Sequence, residues 1–164
     1  MEDWAPIKEF PGYSVSTRGR IRNDKTDRIL TLRVNQDGVV YVGLMQDGRQ
    51  RQRSVALLVA TEWIPRPFGP MDTPINLNGD RYDNTVDNLQ WRPRWFAVKY
   101  NQQFKHPYEN PLMVPIRDVE TGREYENSWV CALEHGLLEK DLVLSILNRT
   151  VVWPTLQKFE VIEL

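Results

Sequence analysis

The sequence predicts an α+β chain that opens with a small β-ribbon and a longer hairpin and closes with strands around two short helices. Three observations carry that prediction. Turn-forming residues recur at short intervals through the first 50 positions, so only short strands fit between them. Apolar residues first cluster as a buried helix would place them at Ala56, Leu57, Leu58, Val59, Ala60 and Trp63. Beyond the segment His106-Pro107-Tyr108-Glu109-Asn110-Pro111 the pattern becomes strand, turn, strand, helix, helix, strand.

Taken in order, Pro11, Gly12 and Gly19 bracket two short segments, 13–16 and 20–22, that pair as a ribbon. Residues 39–45 are β-branched and apolar, Gln46-Asp47-Gly48 supplies a turn, and 49–55 returns. The period of two places Arg49, Arg51 and Arg53 on one strand face. That pattern suits either a solvated edge strand or a ribbon that tracks phosphates. Ser54 can cap the helix that follows, and Pro65 and Pro67 end it. Residues 66–82 predict a loop with a hairpin, and Thr85 begins a short helix carrying Val86, Leu89 and Trp91. A further helix is expected over 95–104.

Residues 106–111 are the expected linker between a domain at 1–105 and a module at 112–164. In that module 112–119 is extended, Glu120-Thr121-Gly122 turns and 123–126 returns. Ser128 caps a helix stopped by Gly136, a second helix spans 139–148, and 159–162 is extended. Two short helices meeting at a glycine fit a helix-turn-helix, and also a plain helical hairpin.

Composition narrows the function classes. No apolar run reaches the roughly 18–20 residues that a membrane-spanning helix needs, and Met-Glu-Asp-Trp lacks the basic-then-apolar order of a secretory signal, so a cytoplasmic protein without a membrane partner is expected. The single cysteine, Cys131, can form neither an internal disulfide nor a cysteine-based zinc site. The net charge of −1 averages two unlike parts: 16 Lys and Arg against 12 Asp and Glu in residues 1–105, and 5 against 10 thereafter. A phosphate-binding surface is therefore expected in the first part.

Four ordered fragments sharpen this. Trp4-Ala5-Pro6-Ile7-Lys8, Pro11-Gly12-Tyr13, Val15-Ser16 and Gly19-Arg20-Ile21-Arg22 resemble the NUMOD-type opening motif of HNH homing endonucleases of phage type. Residues 55–60 followed by Trp63-Ile64-Pro65 resemble the helix that carries the first HNH histidine. Ile75-Asn76-Leu77-Asn78-Gly79-Asp80, Asp83-Asn84 and Val86-Asp87-Asn88-Leu89-Gln90-Trp91 resemble the segment holding the Asn-His pair, the Asp-Gly turn and the Asn-Leu-Glu-Trp close. The resemblance implies a ββα-metal-like (HNH, His-Me finger) core within the α+β fold, and residues 112–164 are loosely similar to a helix-turn-helix module appended to such nucleases.

The same resemblance locates departures where the chemistry would be. HNH cleavage uses a histidine general base and a divalent metal. Here Ala56 stands at the first histidine, Asn76 at the histidine of the Asn-His pair and Asn78 at a common aspartate, while Asn84 and Asn88 are retained. Neutral amides hold Mg²⁺ poorly without a carboxylate. Asp72, Asp80 and Asp83, with Asn84, are the candidates for a variant metal site, although Asp/Asn/Gly clusters also make turns. The chain's histidines, His106 and His135, lie outside the matching segment.

The expectation is a double-stranded-DNA-binding protein derived from such an endonuclease, without catalytic residues or cofactor, serving as a phage regulator or accessory factor. One alternative is a divergent endonuclease using Mg²⁺. Another is a protein-interaction factor that engages a nucleic-acid enzyme, such as a polymerase, through its C-terminal module. Expected DNA contacts are Arg18, Arg20, Arg22, Lys25, Arg28, Arg33, Arg49, Arg51, Arg53, Arg92 and Arg94. In the second helix of the module, Lys140, Ser145, Asn148 and Arg149 can reach DNA, while Leu142, Val143, Leu144, Ile146 and Leu147 are expected to bury.

Overall fold

The first hairpin shows how the sequence sets the framework. In the computed structural model, which describes residues 1–105 and 112–163, β6 (Val40–Gln46) and β7 (Arg49–Ser54) pair antiparallel around Asp47 and Gly48. Both turn residues have positive φ, 52° and 74°, as a two-residue turn matching the strand twist requires. Strand β5 (Arg33–Val34) lies on the other side of β6, giving the order β5-β6-β7. Val40, Val42 and Leu44 are buried, so one face of this sheet covers the core and the alternate positions face outward.

The opening ribbon is a four-stranded antiparallel sheet in simple order: β1 (Trp4–Pro6), β2 (Tyr13–Ser16), β3 (Ile21–Asn23) and β4 (Arg28–Ile29). Ile7, Phe10, Val15 and Ile21 join Val42, Leu44 and the helix residues Val55, Leu58 and Val59 in one core. That helix is α1 (Val55–Trp63), capped by Ser54, whose side chain accepts from the Leu57 amide. Its C-cap Ile64 is extended, as a residue before proline prefers to be.

Strands β8 (Thr73–Asn76) and β9 (Leu89–Arg92) pair antiparallel and α2 (Arg94–Lys105) follows, so strand, strand and helix occur in the order of a ββα unit. The helix expected from Thr85 through Trp91 is corrected here. Only Val86–Asn88 makes a 3-10 turn, and Leu89 to Arg92 is strand. Alternation explains the difference: Leu89 and Trp91 are buried with Gln90 between them half-buried, a period of two rather than 3.6. Two indoles fasten this region. Trp91 Nε1 donates to the Ile64 carbonyl at 2.9 Å and Trp63 Nε1 to the Val15 carbonyl at 3.2 Å.

Two compact units result, Met1–Ala97 and Val98–Leu164, with the division inside α2. The expected linker 106–111, and His106 with it, lies outside the described residues. In the second unit β10 (Ile116–Asp118) is central to the order β11-β10-β12, flanked by β11 (Glu124–Tyr125) and β12 (Phe159–Val161). Ile116, Tyr125 and Phe159 pack with Cys131 and Ala132 of α3 (Ser128–His135) and Leu142 of α4 (Glu139–Leu147). Gly136, at φ 64° and ψ 44°, ends α3 in the left-handed conformation that a side chain would disfavour.

The cap of α3 is Asn127, not Ser128. Asn127 Oδ1 accepts from the Val130 amide at 2.9 Å. The buried Ser128 hydroxyl instead accepts from the Leu112 amide and donates to Glu139 Oε1 at 2.6 Å, tying the starts of both helices together.

Candidate nucleic-acid interface

Register decides which side chains the β5-β6-β7 sheet offers to solvent. Directly paired residues of an antiparallel ladder share a face. Arg53 pairs with Val42, Arg51 with Leu44 and Arg49 with Gln46, so the three arginines do share a face, and it is the face that carries the core residues of β6. They reach solvent only because β7 is an edge strand. Arg53 is held there: its Nη2 lies 2.6 Å from Glu9 Oε1 and its guanidinium 5.0 Å from the Phe10 ring centroid. The Arg53 hydrogen bond in turn holds the Glu9 carboxyl below its usual range.

The outward face carries a different set. Tyr41 pairs with Arg33 on one side and Ser54 on the other, Gly43 with Gln52, and Met45 with Gln50. Gln50, Gln52, Arg33 and Thr31 are exposed and Tyr41 half-buried, and with Gly43 and Leu30 they line a shallow cleft of about 200 Å³. Gly43 makes room for it. A Cβ there would sit 2.4 Å from Gln50 Nε2, so the Gln50 side chain lies across the bare backbone. Sequence reading by the period of two finds the arginines and passes over Gln50 and Gln52. The signal was present, because a turn of Asp47-Gly48 fixes every pair of the ladder.

The remaining predicted contacts divide by what they already hold. Arg20 is engaged by Glu2, with Nε to Oε1 at 2.9 Å, and this with a Ser16 hydrogen bond lowers the Glu2 carboxyl to about 2. Arg22 is half-buried, 4.4 Å from the Trp4 ring centroid and 3.2 Å from Asp24 Oδ1. Arg18, Lys25, Arg28, Arg33, Arg49, Arg51 and Arg94 are exposed and make no ion pair among the described residues. Arg92 is corrected. It is 5% exposed, donates from Nη1 to the Trp91 carbonyl at 2.7 Å and is covered by Phe96 of the following helix, although alternation puts it on the face opposite Trp91.

The segment from β8 to β9 gathers Asn76, Asn78, Asp80, Asp83, Asn84 and Asn88. Asn76 ends β8, nearly buried, and donates from Nδ2 to the Asp83 carbonyl at 2.8 Å and to Asn84 Oδ1 at 2.9 Å. Asn88 Nδ2 donates to Asn78 Oδ1 and to the Asp83 carbonyl, both at 2.9 Å, while its Oδ1 accepts from the Asn78 amide. Asp83 Oδ1 accepts from the Thr85 hydroxyl and amide, Asp83 Oδ2 accepts from Asn78 Nδ2, and Asp80 Oδ1 accepts from the Tyr82 amide. The amides and carboxylates thus close a loop onto itself. Ala56 lies on α1, half-buried at the edge of the core.

A divalent ion does not fit this donor set. It requires several oxygens, carboxylates among them, converging on one point. Here the oxygens of Asn76, Asn78, Asn84 and Asn88 that bear on the loop are engaged within it or belong to neutral amides, and no group of three His, Cys, Asp or Glu among the described residues could hold a metal. Asp72 accepts from the Thr73 hydroxyl.

In the second unit, Leu142 and Val143 are buried and Ile146 half-buried as expected, but Leu144 and Leu147 are 46% and 67% exposed. Ser145 is corrected in the opposite sense: it is buried, its hydroxyl donating to the Leu142 carbonyl at 2.7 Å. Lys140, Asn148 and Arg149 are exposed. His135 is half-buried against Tyr125, whose hydroxyl lies 2.7 Å from Nε2, and burial lowers its pKa.

Residues 2–45 match the model of the NUMOD4 motif. Two proteins of Acanthamoeba polyphaga mimivirus, each described as an uncharacterized HNH endonuclease, are similar in sequence. One is 31% identical over 143 residues, 80% of this chain and 34% of its own length. The other is 26% identical over 109 residues, 66% of this chain and 31% of its own length. The chain thus spans about a third of these relatives. Its fold is similar to that of the HNH homing endonuclease I-HmuI, with a TM-score of 0.55, 20% identity and 98% of both chains covered.

Proposed function

We propose that this HNH homing endonuclease-like protein binds double-stranded DNA through the outward face of β5-β6-β7 and the exposed arginines along its edge, and that it does not cut the DNA. The observation that carries the reading is the register of β6 and β7. It separates a hydrogen-bonding face bearing Gln50, Gln52, Tyr41 and Arg33 from a cationic margin bearing Arg49 and Arg51. The first chemistry reads base edges, glutamine pairing with adenine and arginine with guanine; the second contacts phosphates. A ladder of six residue pairs is about 20 Å long, the rise of about six base pairs.

The same ββα segment supports the absence of cutting in this reading. Asn76 and Ala56 supply no general base, and the loop of Asn78, Asn84 and Asn88 uses its amides to hold its own shape. A DNA binder of this kind has the role of a regulator or accessory factor. I-HmuI, by contrast, both binds and cleaves DNA. The test is a titration of labelled duplex at low and moderate salt, with and without Mg²⁺, scored for retardation and for strand breaks. Salt-sensitive retardation without breaks is expected. Mg²⁺-dependent breaks abolished by chelator would return the chain to the endonucleases.

A second reading has its own observation. Leu144 and Leu147 of α4 are exposed, as are Val151 and Leu156 beyond it, at 50% and 63%. Such a surface suits a protein partner, for which a nucleic-acid enzyme such as a polymerase is the candidate. If DNA is not retarded at low salt, this reading replaces the first.

A further inference from the structure

Between α1 and β8 the chain runs Pro65-Arg66-Pro67-Phe68-Gly69-Pro70-Met71, and its central ring is fully open to solvent: Phe68 is 105% exposed. A phenylalanine on a flexible tip ordinarily folds back against some apolar neighbour. Here the backbone is not free to let it. Prolines at 65, 67 and 70 fix φ at three of the seven positions. The base of the loop is clamped on both sides by one buried residue. Trp91 donates from its indole to the carbonyl of Ile64, where the loop begins. Arg66 lies 5.6 Å from the Trp91 ring centroid and donates from Nε to the carbonyl of Met71, where the loop ends, at 2.8 Å. Nothing approaches within 4 Å of the position a Cβ would take on Gly69, so the tip projects into open space.

We propose that Phe68 is a wedge for nucleic acid: when the protein binds duplex DNA, this ring enters between neighbouring bases and unstacks them. The proposal rests on the DNA-binding reading above and assigns a further contact to the same unit. A wedge must be apolar, narrow and held stiffly enough that base stacking does not push it aside. The loop meets each requirement, with a single ring, no carboxylate between 63 and 71 to repel phosphate, and a guanidinium two residues before the ring. A protein pocket would also accept an exposed phenylalanine, but an isolated ring between prolines offers a partner protein little area around it.

The experiment uses the full chain, Phe68→Ala and Phe68→Trp with labelled duplexes carrying 2-aminopurine in place of adenine, reading binding by anisotropy and unstacking by 2-aminopurine fluorescence. The wild type and Phe68→Trp are expected to raise the fluorescence at saturation. Phe68→Ala is expected to bind about five- to a hundredfold more weakly and, when saturated, to leave the fluorescence near that of free DNA. Full exposure of the ring makes misfolding of Phe68→Ala a poor explanation of that result, and unchanged circular dichroism checks it. Wild-type binding with no rise in fluorescence, or an equal rise with Phe68→Ala, overturns the wedge while leaving DNA binding in place, and would assign the tip to a protein. Absence of wild-type binding overturns both.

Discussion

Replacing Arg49 and Arg51 together by alanine, and in a separate variant Gln50 and Gln52, tests whether the two faces of one strand do different work. Arg49 and Arg51 are exposed and ion-pair with no described residue, so each is available to one phosphate. A phosphate contact contributes about 0.9 to the slope of log affinity against log salt, so the double variant should reduce that slope by about 1.8. Between about 50 and about 200 mM salt, the affinity of the wild type should then fall about tenfold further than that of the variant. The glutamines are neutral, and their removal should leave the slope unchanged. It should instead reduce discrimination between preferred and scrambled sequences by about 1–3 kcal/mol for each bidentate glutamine–base pairing removed. The assay is fluorescence anisotropy across a salt series on selected and scrambled duplexes. An unchanged slope without the arginines, or a shallower one without the glutamines, would refute the assignment of faces.

Three further outcomes follow from the hydrogen bonding and burial. Asn88→Ala removes three hydrogen bonds that hold the Asn78–Asp83 loop and should destabilise the chain by about 2–4 kcal/mol in urea denaturation, whereas Asp72→Ala at the exposed loop should change it little. Glu139→Gln should raise the melting temperature at neutral pH and match the wild type in acid. Burial outweighs the Ser128 hydrogen bond and raises the folded-state pKa of Glu139, so its stability contribution is full below the ordinary glutamate value and declines as pH rises through the folded one. Glu2 has the opposite sign. Because Arg20 and Ser16 lower its pKa to about 2, its contribution is present above the ordinary glutamate value and fades as pH falls toward about 2. As Arg20 is half-exposed, Glu2→Gln should cost at most about 1 kcal/mol at pH 7, a difference that vanishes near the folded pKa.

Much of the chain was legible because its signals are local. Proline and glycine set the turns of the opening ribbon, Ser54 and Pro65 bounded α1, and the Asp47-Gly48 turn placed the long hairpin. That Ala56 and Asn76 stand where the resemblance expects histidines is an expectation from the order of residues alone. Where local signals compete, sequence reading chose wrongly: Asn127 and Ser128 are both good caps, and only the pull of Glu139 and the Leu112 amide on the Ser128 hydroxyl decides between them.

What the sequence determined by itself is the alternation of β7, Arg-Gln-Arg-Gln-Arg, and with it two sets of side chains on opposite faces. Which set meets the core side and which meets solvent was decided by tertiary structure, since it depends on pairing with β6 and on the burial of Val42 and Leu44 against Phe10, Val15 and α1. Arg92 and Ser145 are buried for the same reason. A strand or helix residue is assigned its face by what its element packs against, and those partners lie far away along the chain.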